Sequence, residues 1–311
     1  MLTATAAAIE RTLSYFSLFQ YPLTANEIWQ LLWPGNGTSC PLSTVVFELE
    51  ENNDLRNLII KDGPFFQLAS SEPLRSIREQ RYRIATTKMR RAKRLASALT
   101  WLPWVEGVAV CNSLGYQNTR AKSDIDFFII TKPGTIWLTR FVTVGALTAV
   151  RQRPHGEHTP NALCLSFFVT GNSLNLAPLA LPGGDPHFAY WIAQMTPLFG
   201  RGAIWKQFWD ANRWVQVLLP NSSGYGDYPH SFYRQGKRTK PAGSVTRWLD
   251  RLAELFQRRR FPAPIREGLA RKDSNVVASK EVLKFHTNDR RAAYRSAWKE
   301  HTNTFINHHV A

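Results

Sequence analysis

The 311-residue chain has only three cysteines, Cys40, Cys111 and Cys164. Three widely spaced thiols cannot form a disulfide framework, and none has the spacing of a zinc site. Reduced, partly buried thiols are expected instead. The first residues, Met1 to Ala6, lack the basic stretch and apolar run of a secretory signal. No run reaches the roughly eighteen apolar residues of a membrane span, and the most apolar one, Phe141 to Val150, reads as a core helix. A cytoplasmic protein with no membrane partner is the expectation. Acidic residues are scarce too: 23 Asp and Glu face 39 Lys and Arg, a formal charge of +16. That balance favours polyanionic partners, with nucleic acid, nucleotide phosphates and anionic membrane surfaces the usual candidates, although a solvated basic surface would serve solubility alone. Apolar residues are plentiful at 44%, enough for real cores, which excludes a disordered chain.

Residues Ala4 to Phe19 have helical periodicity, with Ile9, Leu13 and Phe16 on one face, and Tyr21-Pro22 ends the run. Thr24 to Glu27 has the form of a capping box and opens a second helix. A third helix is expected from Leu42 or Ser43 to Glu51, then a β-hairpin around Asp62-Gly63. Three short helices and a hairpin make a winged-helix-like module over residues 1–70. Such modules often bind DNA through the third helix, but here that helix carries Glu48, Glu50 and Glu51 and no cation, which would repel phosphate. A packing role is the preferred reading.

A long basic helix fills 71–102. Tyr82, Ala85, Met89, Ala92, Ala96 and Leu99 alternate at spacings of three and four, predicting one buried seam. Arg75, Arg78, Arg81, Arg83, Lys88, Arg90, Arg91, Lys93 and Arg94 fill the other faces, as a solvated surface or a phosphate-binding ridge.

Chemically suggestive residues concentrate between 108 and 130. Val108 to Cys111 reads as a short buried strand, Asn112 to Gly115 as a turn of small residues, and Ser123 to Ile130 as a second strand. Asp124 and Asp126, two apart on that strand, share a face, while Ile125 and Phe127 point to the core. Paired carboxylates at the edge of an apolar strand require neutralisation, and Mg²⁺ supplies it with phosphate oxygens and water as co-ligands. The Asn112-Ser113 turn offers backbone N–H groups and a hydroxyl suited to phosphate.

This pattern resembles the DNA polymerase β-like nucleotidyltransferase superfamily: an apolar strand, a Gly-Ser or Gly-Gly turn, about ten residues, then Asp-x-Asp on a second strand. A further likeness is to uncharacterised prokaryotic nucleotidyltransferase-domain proteins, carried by Tyr15 to Thr24, Thr131 to Arg140, Lys284-Phe285-His286 and Asp289-Arg290-Arg291. The resemblance implies an α+β fold with a nucleotidyltransferase-like mixed sheet flanked by helices over 103–200; composition and periodicity add a mostly helical region over 201–311 with a basic Gly/Pro-rich linker near 221–243. It implies that Asn112 and Ser113 contact the nucleotide and that Asp124 and Asp126 are catalytic and hold Mg²⁺ or Mn²⁺. An NTP would donate its nucleoside monophosphate to RNA, a protein or a small molecule. Two departures stand out. The usual turn glycine is Asn112, the residue that otherwise best tolerates a left-handed backbone. The family's third carboxylate is missing from Leu163 to Thr170, where Ser166 takes the expected inward position. A catalytically inactive nucleotide- or nucleic-acid-binding protein, or a winged-helix DNA-binding regulator, are the alternatives.

Elsewhere, Gly183-Gly184-Asp185 reads as a loop without the Lys-Ser/Thr of a phosphate loop. His155 and His158 read as an exposed pair, Trp205, Trp209 and Trp214 as a core stripe, and Arg258 to Arg260 as cations matching a helix C-terminus.

Overall fold

A computed structural model describes residues 2–35, 38–69, 72–149, 162–222, 233–272 and 274–309, with side chains to residue 302. His155 and His158 lie outside the described residues. The fold is mixed α+β.

Helix α1 (Ala4–Ser17) begins at Thr3, whose hydroxyl accepts from the Ala6 N–H. The Thr24–Glu27 capping box opens α2 (Ala25–Gln30) as expected. Helix α3 (Leu42–Glu51) leads through α4 (Asn53–Arg56) to the hairpin β2 (Ile59–Asp62) and β3 (Phe65–Leu68), turning at Gly63 with φ +60°. The two-residue β1 (Leu23–Thr24) adds to β3, so the small sheet runs β1-β3-β2. Glu48, on the acidic third helix, is buried and accepts from Thr3 and Asn52, so it serves internal packing.

Helix α5 (Arg75–Leu99) corrects the expected seam. Ala85, Ala92 and Ala96 are buried, but Tyr82 is 52% exposed, and Arg78, Arg81 and Lys88 are buried instead. Arg78 pairs with Glu27 at 2.6 Å and covers the Tyr21 ring at 3.8 Å. Arg81 donates to the Phe19 and Gln20 carbonyls and to Asn118. Lys88 donates to the Ser123 carbonyl. Three cations of the supposed ridge therefore fasten α5 to the N-terminal module and to the strand edge. Arg75, Arg83, Arg90, Lys93 and Arg94 remain exposed.

The central sheet has seven strands in the order β8-β7-β4-β5-β6-β10-β9. They are β4 (Val105–Val110), β5 (Ile125–Thr131), β6 (Leu163–Thr170), β7 (Thr196–Arg201), β8 (Arg234–Gly236), β9 (Val276–Ala278) and β10 (Val282–Phe285). The pairs β5–β6 and β7–β8 are parallel and the rest antiparallel. The sheet thus takes three strands from beyond residue 200, and the division there does not separate a sheet domain from a helical one.

Both faces are covered, which is why β4, β5 and β6 read as continuous apolar runs. Ala109, Phe128, Ile130 and Phe167 pack toward α1, α8 (Pro186–Ala193) and α9 (Ile204–Ala211). Val108, Val110, Phe127 and Ile129 pack toward α5, α7 (Ile136–Ala149) and α11 (Ser244–Arg259). Trp205 and Trp209 are buried in the first of these cores, as expected of a core stripe. The chain closes on α13 (Arg291–His309), whose Trp298 indole donates to the Arg11 carbonyl of α1. No helix among the described residues is long and apolar enough to cross a membrane.

Candidate active site

Strand β4 ends at Val110, and Asn112 immediately turns the chain with φ +53°, the left-handed conformation expected of that residue. The turn Asn112–Gly115 completes one helical coil beside the start of β5. Gly115 is required here by contact rather than by φ: an added Cβ would lie 2.9 Å from the Gln194 carbonyl oxygen. The register of β4 on β5 then sets the turn beside Asp126, whose carbonyl accepts from the Cys111 N–H at 3.1 Å.

Asp124 and Asp126 share a face, as their spacing predicts, and both are only partly covered. The parallel register pairs Asp126 with Cys164 on β6. Ligand atoms of Asp124, Asp126 and Cys164 all lie within 4.8 Å of one another. The position nearest the carboxylate pair on β6 is therefore held by a thiol. Ser166, the residue expected inward, also lines the site and hydrogen-bonds His286 Nε2 at 3.0 Å.

The electrostatics follow from crowding. Burial and then the neighbouring Asp124 charge push Asp126 up to about 7, against hydrogen bonds from Asn112 and Cys164 and the Lys88 charge. Burial, followed by the charge of Asp126, drives the Cys164 thiol well above its ordinary range. Lys88 is lowered by burial, opposed by Asp124 and Asp126. One buried ammonium thus accompanies two carboxylates, which leaves room for more positive charge.

The carboxylates and Cys164 line a cavity of about 720 Å³, and all four residues predicted from sequence, Asn112, Ser113, Asp124 and Asp126, lie on it. Its apolar walls come from distant parts of the chain: Tyr15 and Phe16 of α1 with Phe19 in the turn after it, and Phe188 and Trp191 of α8. Trp191 stacks on Phe167, centroids 5.5 Å apart and planes at 21°, and its indole donates to Asn112 Oδ1 at 2.8 Å. This bond holds the Asn112 side chain against α8.

No family model matches the chain, and no curated protein or solved structure matches it either.

The far wall is an ionic lattice that sequence reasoning missed. Asp185 caps α8 through the Phe188 N–H and accepts from Arg291 at 2.7 Å. Arg291 also holds Asp289 at 2.8 Å, and Lys284 lies 3.4 Å from Asp289. Burial, then the Arg291 charge, lowers Lys284 to about 8. His286 and His187 are both lowered to about 4, chiefly by burial, and are neutral near pH 7. His187 Nδ1 lies 2.8 Å from the Tyr15 hydroxyl. The stretches Lys284 to His286 and Asp289 to Arg291 supply most of this wall, and Asp185 joins them from the start of α8.

Proposed function

We propose that the chain is a divalent-metal-dependent nucleotidyltransferase, with a nucleotidyltransferase-like sheet and a winged-helix-like N-terminal module. The observation that carries this reading is the meeting of the Asn112-Ser113 turn with Asp124 and Asp126 on the lining of one cavity. The donor set fits the implied ion. Two carboxylates a few ångströms apart supply hard oxygen ligands, and the raised Asp126 marks a pair short of positive charge. Asp124 and Asp126 would hold Mg²⁺ or Mn²⁺, which when bound neutralises and organises the triphosphate. The Ser113 hydroxyl and the backbone N–H groups of its turn would orient phosphate oxygens. Phe167, Trp191 and Phe188, stacked on one another, give the cavity an aromatic lining suited to apolar contact with a nucleobase. His286, bonded to Ser166, stands on the side where the family's third carboxylate would be.

A second reading is favoured by Cys164. A thiol held protonated is a poor ligand for Mg²⁺, so a protein that binds nucleotide without turnover fits the same cavity. A DNA-binding regulator is disfavoured by the acidic α3, whose Glu48 is committed internally. The deciding experiment incubates the protein with α-labelled NTPs, Mg²⁺ or Mn²⁺, and total cellular RNA and protein. Transfer by the native chain and none by Asp124→Ala/Asp126→Ala supports the enzyme. Nucleotide binding without transfer supports the second reading. Equal calorimetric affinity of both proteins for Mg²⁺–NTP rejects the site altogether.

A further inference from the structure

Helix α11 is built inside out. The side it turns to the protein carries Asp250, Ala253 and Gln257. Asp250 accepts from the Leu138 N–H at 2.8 Å, and Gln257 bonds the Trp137 carbonyl and Arg140. Its apolar residues, Val245, Trp248, Leu249, Leu252, Leu255 and Phe256, fall at spacings of three and four and form one stripe, all of it exposed. Val245 is 68% exposed, Trp248 58% and Leu255 55%. A helix required only to pack would bury such a stripe.

The stripe continues into α7. Phe256 meets Phe141 edge-on, centroids 5.4 Å apart, and Phe141 and Val142 are exposed in turn. From Phe141 to Ala149 that helix has no charged residue. The other border is cationic. Arg247, Arg251 and Arg258 follow one flank of α11, and Arg259 and Arg260 close its end. Of the two acids on the helix, Asp250 is buried and Glu254 is paired with Arg258 at 2.8 Å.

We propose that this face docks onto an anionic lipid bilayer, with the apolar stripe entering the headgroup boundary and the arginines meeting lipid phosphates. Two observations select this occupant. The apolar face spans two helices and carries aromatic side chains, matching interfacial insertion rather than a span. The rim is cationic with no free acid on α11, so an anionic surface adds attraction. The expectation of no membrane partner, drawn from the lack of a spanning segment, does not address such a surface.

The test is flotation of the full chain with phosphatidylcholine vesicles containing about 30% phosphatidylserine, against pure phosphatidylcholine. Binding to the anionic vesicles only, weakened by salt, is expected. Arg251→Ala/Arg259→Ala should weaken partitioning about fivefold per arginine. Trp248→Ala/Leu252→Ala/Phe256→Ala should weaken it about 100-fold. Both variants alter exposed side chains, so melting curves like the native one keep lost binding separate from unfolding. Absence of flotation, or flotation unchanged in both variants, overturns the proposal. So does a dimer in light scattering that the apolar triple variant dissolves while no form floats, which would assign the face to a second copy.

Discussion

Replacing Arg291 by Met keeps the aliphatic stem and removes the charge. The loss is large because of where the guanidinium sits. It donates to Asp289 at 2.8 Å, Asp185 at 2.7 Å, the Leu179 carbonyl at 2.9 Å, Ser274 at 3.0 Å and Asn275 at 3.2 Å. All three charged side chains are no more than 7% exposed. Removing the cation strands two buried carboxylates, and Lys284 at 3.4 Å answers only Asp289. Breaking a buried pair in this way costs about 3–5 kcal/mol. At roughly 2–4 °C per kcal/mol for a chain of this size, melting should fall by about 10 °C. Arg291→Met/Asp185→Asn should recover at least about 1 kcal/mol, because Asp185 is the carboxylate left with no cation.

The sign of the pH dependence is fixed. Burial pushes Asp289 up, but the hydrogen bonds and charge of Arg291, with Lys284, prevail and hold it below the usual carboxylate range. Its stabilising contribution is therefore full above about pH 4 and is lost as pH falls through the lowered value. Denaturant unfolding of both proteins at pH 7 and pH 3 measures this. A gap under about 1 kcal/mol at pH 7, or one equally wide at pH 3, would refute the account of this wall.

Other outcomes concern the cavity and its turn. His187 and His286 titrate near 4 in the folded chain against 6.5 when free, so protonation favours unfolding. Stability should fall as pH drops from 6.5 to 4, by about 2–3 kcal/mol per histidine, and His286→Gln should flatten that slope in acid-denaturation curves. Gly115→Ala should cost about 1–3 kcal/mol by urea denaturation, because the new methyl meets a backbone carbonyl that cannot turn aside. Cys164→Asp adds a third carboxylate beside Asp126 and should raise Mn²⁺ affinity about tenfold by calorimetry. Unchanged affinity would show that the β6 position does not face the ion.

The elements governed by local chemistry were legible in the sequence. The Thr24–Glu27 box, the Asp62-Gly63 hairpin and the Asp124–Asp126 face each depend on residues a few positions apart. What escaped depends on partners far along the chain. Periodicity places alanines in the α5 seam but cannot bury Arg81, whose acceptors lie on Phe19, Gln20 and Asn118. The same limit hides the Asp185–Arg291 pair and the orientation of α11, because an apolar stripe carries no mark of whether it faces inward or outward. Strands β9 and β10 are three and four residues long, too short to show a period.

The strand order also has a consequence for the timing of synthesis. Strand β6 pairs β5 on one side and β10 on the other, and β10 lies roughly a hundred residues further along the chain. At about 5–20 residues per second, β6 leaves the ribosome several seconds or more before its second neighbour exists. Its unsatisfied backbone groups and its Phe167-Phe168 pair are then a template for any other nascent strand nearby. Newly made chains would therefore be most vulnerable to misassociation in that interval, and slower translation of residues 171–281 would lengthen it.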